Sequence, residues 1–138
     1  MEEFISKSPK DTLEYGKKFA KNLKIGDIVV LSGELGAGKT KFTEGILSYF
    51  GKENEISSPS FTIVNEYDAE NIKIFHFDVY RLEDSDEFFN IGGEEYFEKG
   101  IVIIEWGEKI SEILPKKHIN VTFSKDLENE NIRRIIIN

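Results

Sequence analysis

Cysteine is absent from this chain of 138 residues, and tryptophan and methionine occur only once each. Without a thiol, the protein has no disulfide, no thiolate metal site and no cysteine nucleophile. No apolar run approaches the roughly 18 residues that a membrane-spanning helix needs. The opening residues, MEEFISKSPKD, show neither the basic segment nor the apolar core of a secretory signal. We therefore expect a cytoplasmic protein with no membrane partner.

Positive charge is also scarce. The formal net charge is −8, from 18 Lys and Arg against 26 Asp and Glu. Such a charge repels a phosphate backbone, which argues against DNA as a partner and allows contact with RNA only through a basic partner. Hydrophobic residues nevertheless make up 39% of the chain, enough for a folded core. At this length we expect one domain, residues 1–138.

The first 51 residues predict a helix, a buried strand and a second helix. The first helix is expected to begin at Pro9, with Ser8 as its cap, and to stop at Gly26. Its predicted buried face is Leu13, Phe19, Ala20 and Leu23. The segment DIVVLSG is typical of a strand buried on both faces of a parallel sheet, and GKTKFTEGILSYFG of a helix that ends at Gly51.

The rest of the chain predicts strand pairs and short helices. An antiparallel hairpin is expected from FTIVNEY and IKIFHFDVY, joined by DAEN. Short helices are expected in EDSDEFFNIGGEEYFEKG and in EKISEIL, on either side of a second buried strand, IVIIEW. The chain is expected to end in a pair of strands, INVTFS and IRRIIIN. Strands that alternate with helices early and pair with each other later predict a mixed sheet.

A phosphate-binding motif follows the first buried strand. Gly33, Gly38, Lys39 and Thr40 fit G-x-x-x-x-G-K-[ST], with Gly36 between them. Glycines let the loop point its N–H groups at phosphates, the lysine reaches the β and γ phosphates, and the threonine hydroxyl binds Mg²⁺. We therefore expect a nucleoside triphosphate site in an α/β protein, a three-layer P-loop NTPase fold with a mixed, mainly parallel central sheet and antiparallel hairpins at its edge.

Other polar residues are candidates for the same site. Glu105 ends a buried strand, where an acid can bind magnesium directly or through water, although it could simply cap the strand. Trp106, next to it, could fill the core. Asp78 could orient water or bind magnesium through water, or be an ordinary turn former, and His76 on the same strand face could be a packing residue. In SSPSFT, Ser60 or Thr62 could meet the γ-phosphate or only form a turn.

Four motifs in this order, GELGAGKT, SPSFTIVNEY, HFDVYRL and IIEWGEKI, resemble those of the bacterial TsaE proteins, formerly called YjeE. That family is the P-loop ATPase component of the machinery that makes threonylcarbamoyladenosine in tRNA. The resemblance covers nearly the whole chain. It implies ATP and ADP as ligands, with Mg²⁺ as the metal.

The resemblance also implies roles for individual residues. The residues from Leu35 to Thr40, which are Leu35, Gly36, Ala37, Gly38, Lys39 and Thr40, would hold the phosphates. Gly33 and Glu34, just before them, are also expected to bind the nucleotide. Thr40 and Glu105 would be the magnesium ligands, and Asp78 the acid needed for hydrolysis. Trp106 would sit beside the nucleotide, and the segment from Pro9 to Thr12 near the adenine. The family commonly has Asp at Glu34 and Thr at Ser60 and Lys41; of these departures, only Lys41 changes the chemistry, because a cation there could alter the α-phosphate contact.

The residues by themselves are compatible with three functions. A slow ATPase that switches its partners fits a chain with just three arginines, Arg81, Arg133 and Arg134, because the charge-stabilising groups would then come in trans. The resemblance names those partners as a TsaB–TsaD heterodimer, which handles tRNA and is reset by hydrolysis. A small-molecule kinase would use the same loop but needs an acceptor pocket and a lid. A GTP switch would need an [NT]-K-x-D motif, and FSKDLE does not fit it.

Overall fold

A computed structural model of the chain describes residues 2–33, 38–52, 64–79, 82 and 85–138. The chain divides into two compact units. The first unit comprises Met1–Leu23, Ser32–Ile56 and Asn120–Asn138, and the second comprises Lys24–Leu31 and Ser57–Ile119. That the chain is a single domain stays a prediction.

The first unit contains three strands and two helices. The strands are β1 (Glu2–Ser6), β6 (Ile119–Lys125) and β7 (Arg133–Ile137), and the helices are α1 (Pro9–Ala20) and α2 (Lys39–Tyr49). Strand β7 lies between β1 and β6 and is antiparallel to both. The predicted terminal pair of strands is confirmed. Strand β1 was not expected, because its run EEFIS has five residues, two of them acidic, and it is formed by pairing with β7 at the other end of the chain.

Helix α1 begins as predicted, but only part of its predicted buried face is buried. The Ser8 hydroxyl accepts the N–H of Asp11 at 3.1 Å, and Pro9 is the first helical residue. The helix ends at Ala20, and Gly26 instead belongs to a later turn. Its buried residues are Thr12, Tyr15, Gly16 and Ala20. Of the predicted face, Ala20 is fully buried, whereas Leu13, Phe19 and Leu23 stay partly exposed. The closest approach of α2 is instead at Gly16, where a Cβ atom would lie 2.3 Å from the Phe42 carbonyl oxygen.

Tyr15 ties this helix to β1. Its ring stacks on Phe4 with centroids 4.1 Å apart, and its hydroxyl donates a 2.6 Å hydrogen bond to the Glu2 carboxylate. Burial, followed by the hydrogen bond and charge of Glu2, raises the pKa of Tyr15 above its usual value. The folded state therefore favours the neutral phenol. The stabilisation that comes from this preference for the neutral Tyr15 phenol is complete at neutral pH. It is lost as pH rises past the ordinary tyrosine pKa of about 10.

Replacing Tyr15 by phenylalanine tests this linkage. At pH 7 the variant should lose about 0.5–1.5 kcal/mol of unfolding free energy, the usual net value of one hydrogen bond. The difference between the two proteins should shrink above pH 10, because only the wild type has this phenol to ionise. Urea unfolding at pH 7 and at higher pH measures it, with Tyr49→Phe as a control at an exposed tyrosine. A difference independent of pH would contradict the assignment.

Helix α2 has a buried apolar side and ends where it was predicted to end. Phe42 and Ile46 are fully buried, and Phe42 packs edge-on against the ring of Phe123. At the end, the Lys52 N–H donates to the Leu47 carbonyl at 2.8 Å across Gly51. This is the six-to-one hydrogen bond that a glycine after a helix allows.

The second unit contains three strands and residues 28–31 of a fourth, in the order β2 (Ile28–Gly33), β5 (Ile101–Glu105), β4 (Lys73–Asp78) and β3 (Val64–Asp68). The first three are parallel, and β3 forms the predicted antiparallel hairpin with β4. The predicted short helices are α3 (Ser85–Asn90) and the 3₁₀ helices Gly93–Glu98 and Gly107–Ile113. The predicted α/β class, with a mixed sheet that is parallel in its centre, is confirmed. In the described part of the chain, no helix has the length and apolar character to cross a membrane.

Alternation gives the central strands of this unit two distinct faces. One face packs into an apolar cluster with aromatic side chains of the short helices; its strand residues are Ile28, Val30, Phe75, Phe77, Val102 and Ile104. Because side chains alternate along a strand, the residues between them point to the other face. On β4 and β5 that face carries His76, Asp78 and Glu105. Most of its other members, including Leu31 and Ile103, are fully buried.

Candidate nucleotide site

Two glycines of the phosphate-binding motif have backbones that suit glycine. Gly33 has φ of 143° and Gly38 has φ of 107°, both in the region that other residues rarely adopt. At Gly33 there is also no space, because a Cβ atom would lie 2.4 Å from the Phe123 carbonyl oxygen. At these two positions the backbone therefore agrees with the glycines of the motif. Residues 34–37 lie outside the described residues, so the roles of Glu34, Leu35, Gly36 and Ala37 stay predictions.

Helix α2 begins directly after the second of these glycines. Lys39 is its first residue and is 7% exposed, whereas Thr40 is exposed. Gly38, at the cap position, has no side chain to bond the first N–H groups, and no acidic residue occupies the first turn. An open helix N-terminus with a lysine is a favourable place for phosphate. These residues therefore fit the anion that the motif predicts.

A cavity of about 130 Å³ opens beside Gly38. The structure brings together here three residues predicted to bind the nucleotide, Pro9, Thr12 and Lys41. Ser8 also lines the cavity, which is smaller than the roughly 300 Å³ at the low end of sites for whole ligands. It therefore suits one part of a nucleotide rather than all of it.

Two further residues line this cavity and were not predicted. Asn131 and Arg133 come from the end of the chain, and Arg133 is the first residue of β7. The one signal in the sequence concerns Arg133, because arginine is rare in this chain. Lys41 contributes a second cation, and its Nζ lies 2.9 Å from the Glu44 carboxylate.

The second unit holds the two predicted acids. Asp78 and Glu105 end neighbouring parallel strands and are register partners. On its other side, β5 pairs with β2, and there the register partner of Glu105 is Leu31. Leu31 comes two residues before Gly33 in sequence. In open α/β sheets, ligands bind at the carboxyl ends of parallel strands. Asp78 and Glu105 therefore lie at the end of the parallel strands where proteins of this fold class bind ligands.

Trp106 has an unusual backbone. Its φ is 66°, and no other non-glycine residue in the described part of the chain has a positive φ. Its side chain remains partly exposed while packing against the apolar cluster of the second unit, so the expected core role is met in part. A bulky residue held in this region marks a position that the surrounding structure determines strongly.

His76 contacts Glu105 directly. Its Nε2 atom lies 2.8 Å from the Glu105 Oε2 atom, and the two side chains are 7% and 15% exposed. The idea that His76 is only a packing residue was thus incomplete. Ser60 and Thr62, the candidates for the γ-phosphate, lie outside the described residues.

The two residues predicted as magnesium ligands each have the chemistry that the ion prefers. Mg²⁺ prefers hard oxygen ligands and takes only one or two from protein side chains, the others being phosphate and water. The hydroxyl of Thr40, an exposed residue of the first unit, and the carboxylate of Glu105 in the second unit are each ligands of that kind. Among the described residues there is no group of three His, Asp or Glu close enough to hold a metal by themselves.

Comparison with known proteins agrees with the geometry. The family model described as threonylcarbamoyl adenosine biosynthesis protein TsaE matches residues 6–135. The chain belongs to the TsaE family. This family takes part in the biosynthesis of tRNA threonylcarbamoyladenosine. The resemblance seen in the four sequence motifs is confirmed.

Individual TsaE proteins match over most of their length. The tRNA threonylcarbamoyladenosine biosynthesis protein TsaE of Rickettsia typhi is 42% identical over 123 residues, covering 88% of this chain and 85% of its own. The Bacillus subtilis protein of the same name is 37% identical, covering 89% and 77%. A crystal structure of Bacillus subtilis YdiB superposes with a TM-score of 0.79 at 32% identity, covering 97% of this chain and 82% of that one. The similarity in fold therefore extends over nearly the whole chain.

Proposed function

We propose that this protein binds ATP with Mg²⁺ and hydrolyses it to ADP and phosphate in support of tRNA threonylcarbamoyladenosine formation. The observation that carries the proposal is the phosphate loop, with glycine backbones at Gly33 and Gly38 and a buried lysine at the start of α2. Membership of the TsaE family supports the process that the ATPase would serve.

Each polar residue has a role in this proposal. Lys39 and the first N–H groups of α2 bind the β and γ phosphates and offset their charge. Thr40 and Glu105 are the magnesium ligands; the ion supplies charge neutralisation on the phosphate oxygens. Asp78 accepts a hydrogen bond from the attacking water and so orients it.

The cavity beside Gly38 is proposed to take the nucleoside end. In this arrangement, Pro9 and Thr12 contact the base or ribose, and Lys41 and Arg133 supply positive charge beside the α-phosphate. The support is the shared lining of a small cavity next to the first turn of α2. Ser60 keeps its proposed place near the γ-phosphate, and Trp106 its place beside the nucleotide.

The proposed partners are TsaB and TsaD, which would form a heteromeric complex with this protein and handle the tRNA. A net charge of −8 supports an indirect role toward tRNA. ATP hydrolysis would reset that complex between turnovers. With so few arginines in the chain, hydrolysis is expected to be slow until a partner contributes charge-stabilising groups.

Fluorescence of the single tryptophan tests nucleotide binding. Titrating the protein with ATP, ADP and GTP in the presence of Mg²⁺ should change the emission of Trp106, with adenine nucleotides binding more tightly than GTP. Free tryptophan titrated in parallel corrects for absorption by the nucleotide. Tighter binding of GTP than of ATP would contradict the assignment of ATP, and the absence of any binding by calorimetry would contradict the site itself.

A further inference from the structure

His76 stands in the middle of a buried strand rather than at its end. It is 6% exposed, on the sheet face that also carries Glu105. Its strand neighbours Phe75 and Phe77 point to the other face, into the apolar cluster. A polar ring placed among apolar side chains is costly unless its nitrogens find partners. The position therefore needs an explanation beyond packing.

The imidazole of His76 forms a short hydrogen bond with Glu105. An ionised carboxylate can only accept, so at the 2.8 Å contact the His76 Nε2–H is the donor and Glu105 Oε2 the acceptor. Bonds of this kind to a charged group are stronger than neutral ones, and low exposure increases their strength. The Glu105 carboxylate is thus fixed by a group 29 residues away in sequence.

Fixing this carboxylate matters because glutamate is flexible. A glutamate has one more rotatable bond than the aspartate commonly found at this place in P-loop proteins, and it loses more rotamer freedom when it is ordered. Residues that bind metals are usually held by a second hydrogen bond of this sort. A carboxylate has about four acceptor directions, so a bond from His76 is compatible with a contact to a metal or its water.

We infer that His76 is a positioning residue, which holds the Glu105 carboxylate in the orientation that binds magnesium. The inference rests on the proposed function, because it requires Glu105 to be a magnesium ligand. In this account His76 touches neither nucleotide nor metal. Its loss should weaken the response to Mg²⁺ and leave the nucleotide contacts of the phosphate loop intact.

Two amides that differ by one methylene separate positioning from packing. The amide nitrogen of His76→Gln can reach the place of the imidazole Nε2, whereas that of His76→Asn is too short to do so. We expect the Asn variant to need about 10- to 100-fold more Mg²⁺ for half-maximal tightening of ADP binding, and the Gln variant to need nearly the wild-type concentration. Binding of a fluorescent ADP analogue is measured across Mg²⁺ concentrations, and again in EDTA, where all three proteins should agree.

Controls distinguish this inference from the proposal on which it rests. Ile103→Val, on the same face of β5, should leave the Mg²⁺ requirement unchanged. Glu105→Gln should raise it, and adding His76→Asn to Glu105→Gln should change nothing more. Thermal melting confirms that each variant is folded. Two results would overturn the inference alone, given that Glu105→Gln raises the Mg²⁺ requirement. One is a His76→Asn variant with the wild-type requirement, and the other is a His76→Gln variant with a requirement as high as that of His76→Asn. If Glu105→Gln has no effect, the magnesium assignment fails and the inference fails with it.

Discussion

Replacing Lys39 by alanine is expected to weaken ATP binding about 10- to 100-fold, because charge-assisted hydrogen bonds to phosphate contribute roughly 1.5–3 kcal/mol. The side chain is buried at the start of α2, so a water molecule is a poor substitute for its charge. Isothermal titration calorimetry with ADP and ATP measures the loss. ATP should lose more than ADP, because in the proposed binding mode Lys39 reaches the γ-phosphate that ADP lacks.

Lys17→Ala is the matched control, since Lys17 is an exposed lysine on α1 of the same unit. It should bind both nucleotides as the wild type does. Equal affinities of the Lys39 variant and this control, with both proteins folded by circular dichroism, would show that the loop does not bind the nucleotide through its lysine.

Replacing Asp78 by asparagine is expected to spare nucleotide binding and to slow hydrolysis about 10²- to 10⁴-fold. Asparagine keeps the size of the side chain but removes the charge that, in the proposed mechanism, orients and polarises water. Asp78 ends β4 as the register partner of Glu105, so the variant alters the acid end of the second unit with little change in side-chain volume. Single-turnover release of phosphate, with ADP affinity measured in parallel, separates the two effects.

Asp86→Asn serves as the control, because Asp86 is an exposed acid in the first turn of α3. Its hydrolysis should match the wild type. Normal phosphate release by the Asp78 variant would remove Asp78 from the reaction. A loss of ADP affinity with turnover unchanged at saturation would instead place it among the magnesium contacts.

The sequence predicts the elements whose signals are local. The Ser8 cap, Gly51 and the buried strands β2 and β5 were each expected from a few neighbouring residues, and each is confirmed. Strand β1 was missed because its stability comes from β7, more than a hundred residues later. The buried face of α1 was predicted only in part for a similar reason. Apolar periodicity correctly favoured Ala20, and Phe19 packs against Phe42 of α2 while staying partly exposed. The approach of the two backbones at Gly16 was missed, because it depends on α2.

The candidate site divides in the same way. The phosphate loop is recognisable from sequence because its glycines and its lysine lie within seven consecutive residues, Gly33 to Lys39. The lining of the cavity beside Gly38 is not, since Arg133 reaches it from the last strand. The pairing of His76 with Glu105 depends on the parallel register of β4 and β5, which no local pattern encodes. Lys41, the departure from the family pattern, lines that cavity and forms an ion pair with Glu44.

We propose that the protein is an ATPase whose activity serves a partner complex. Phosphate release from ATP and Mg²⁺ by the purified protein, alone and with purified TsaB and TsaD, tests it most directly. Slow turnover alone, raised severalfold or more by the two partners together, is the predicted result. Turnover of tens per second by the protein alone, with no increase when the partners are added, would contradict it.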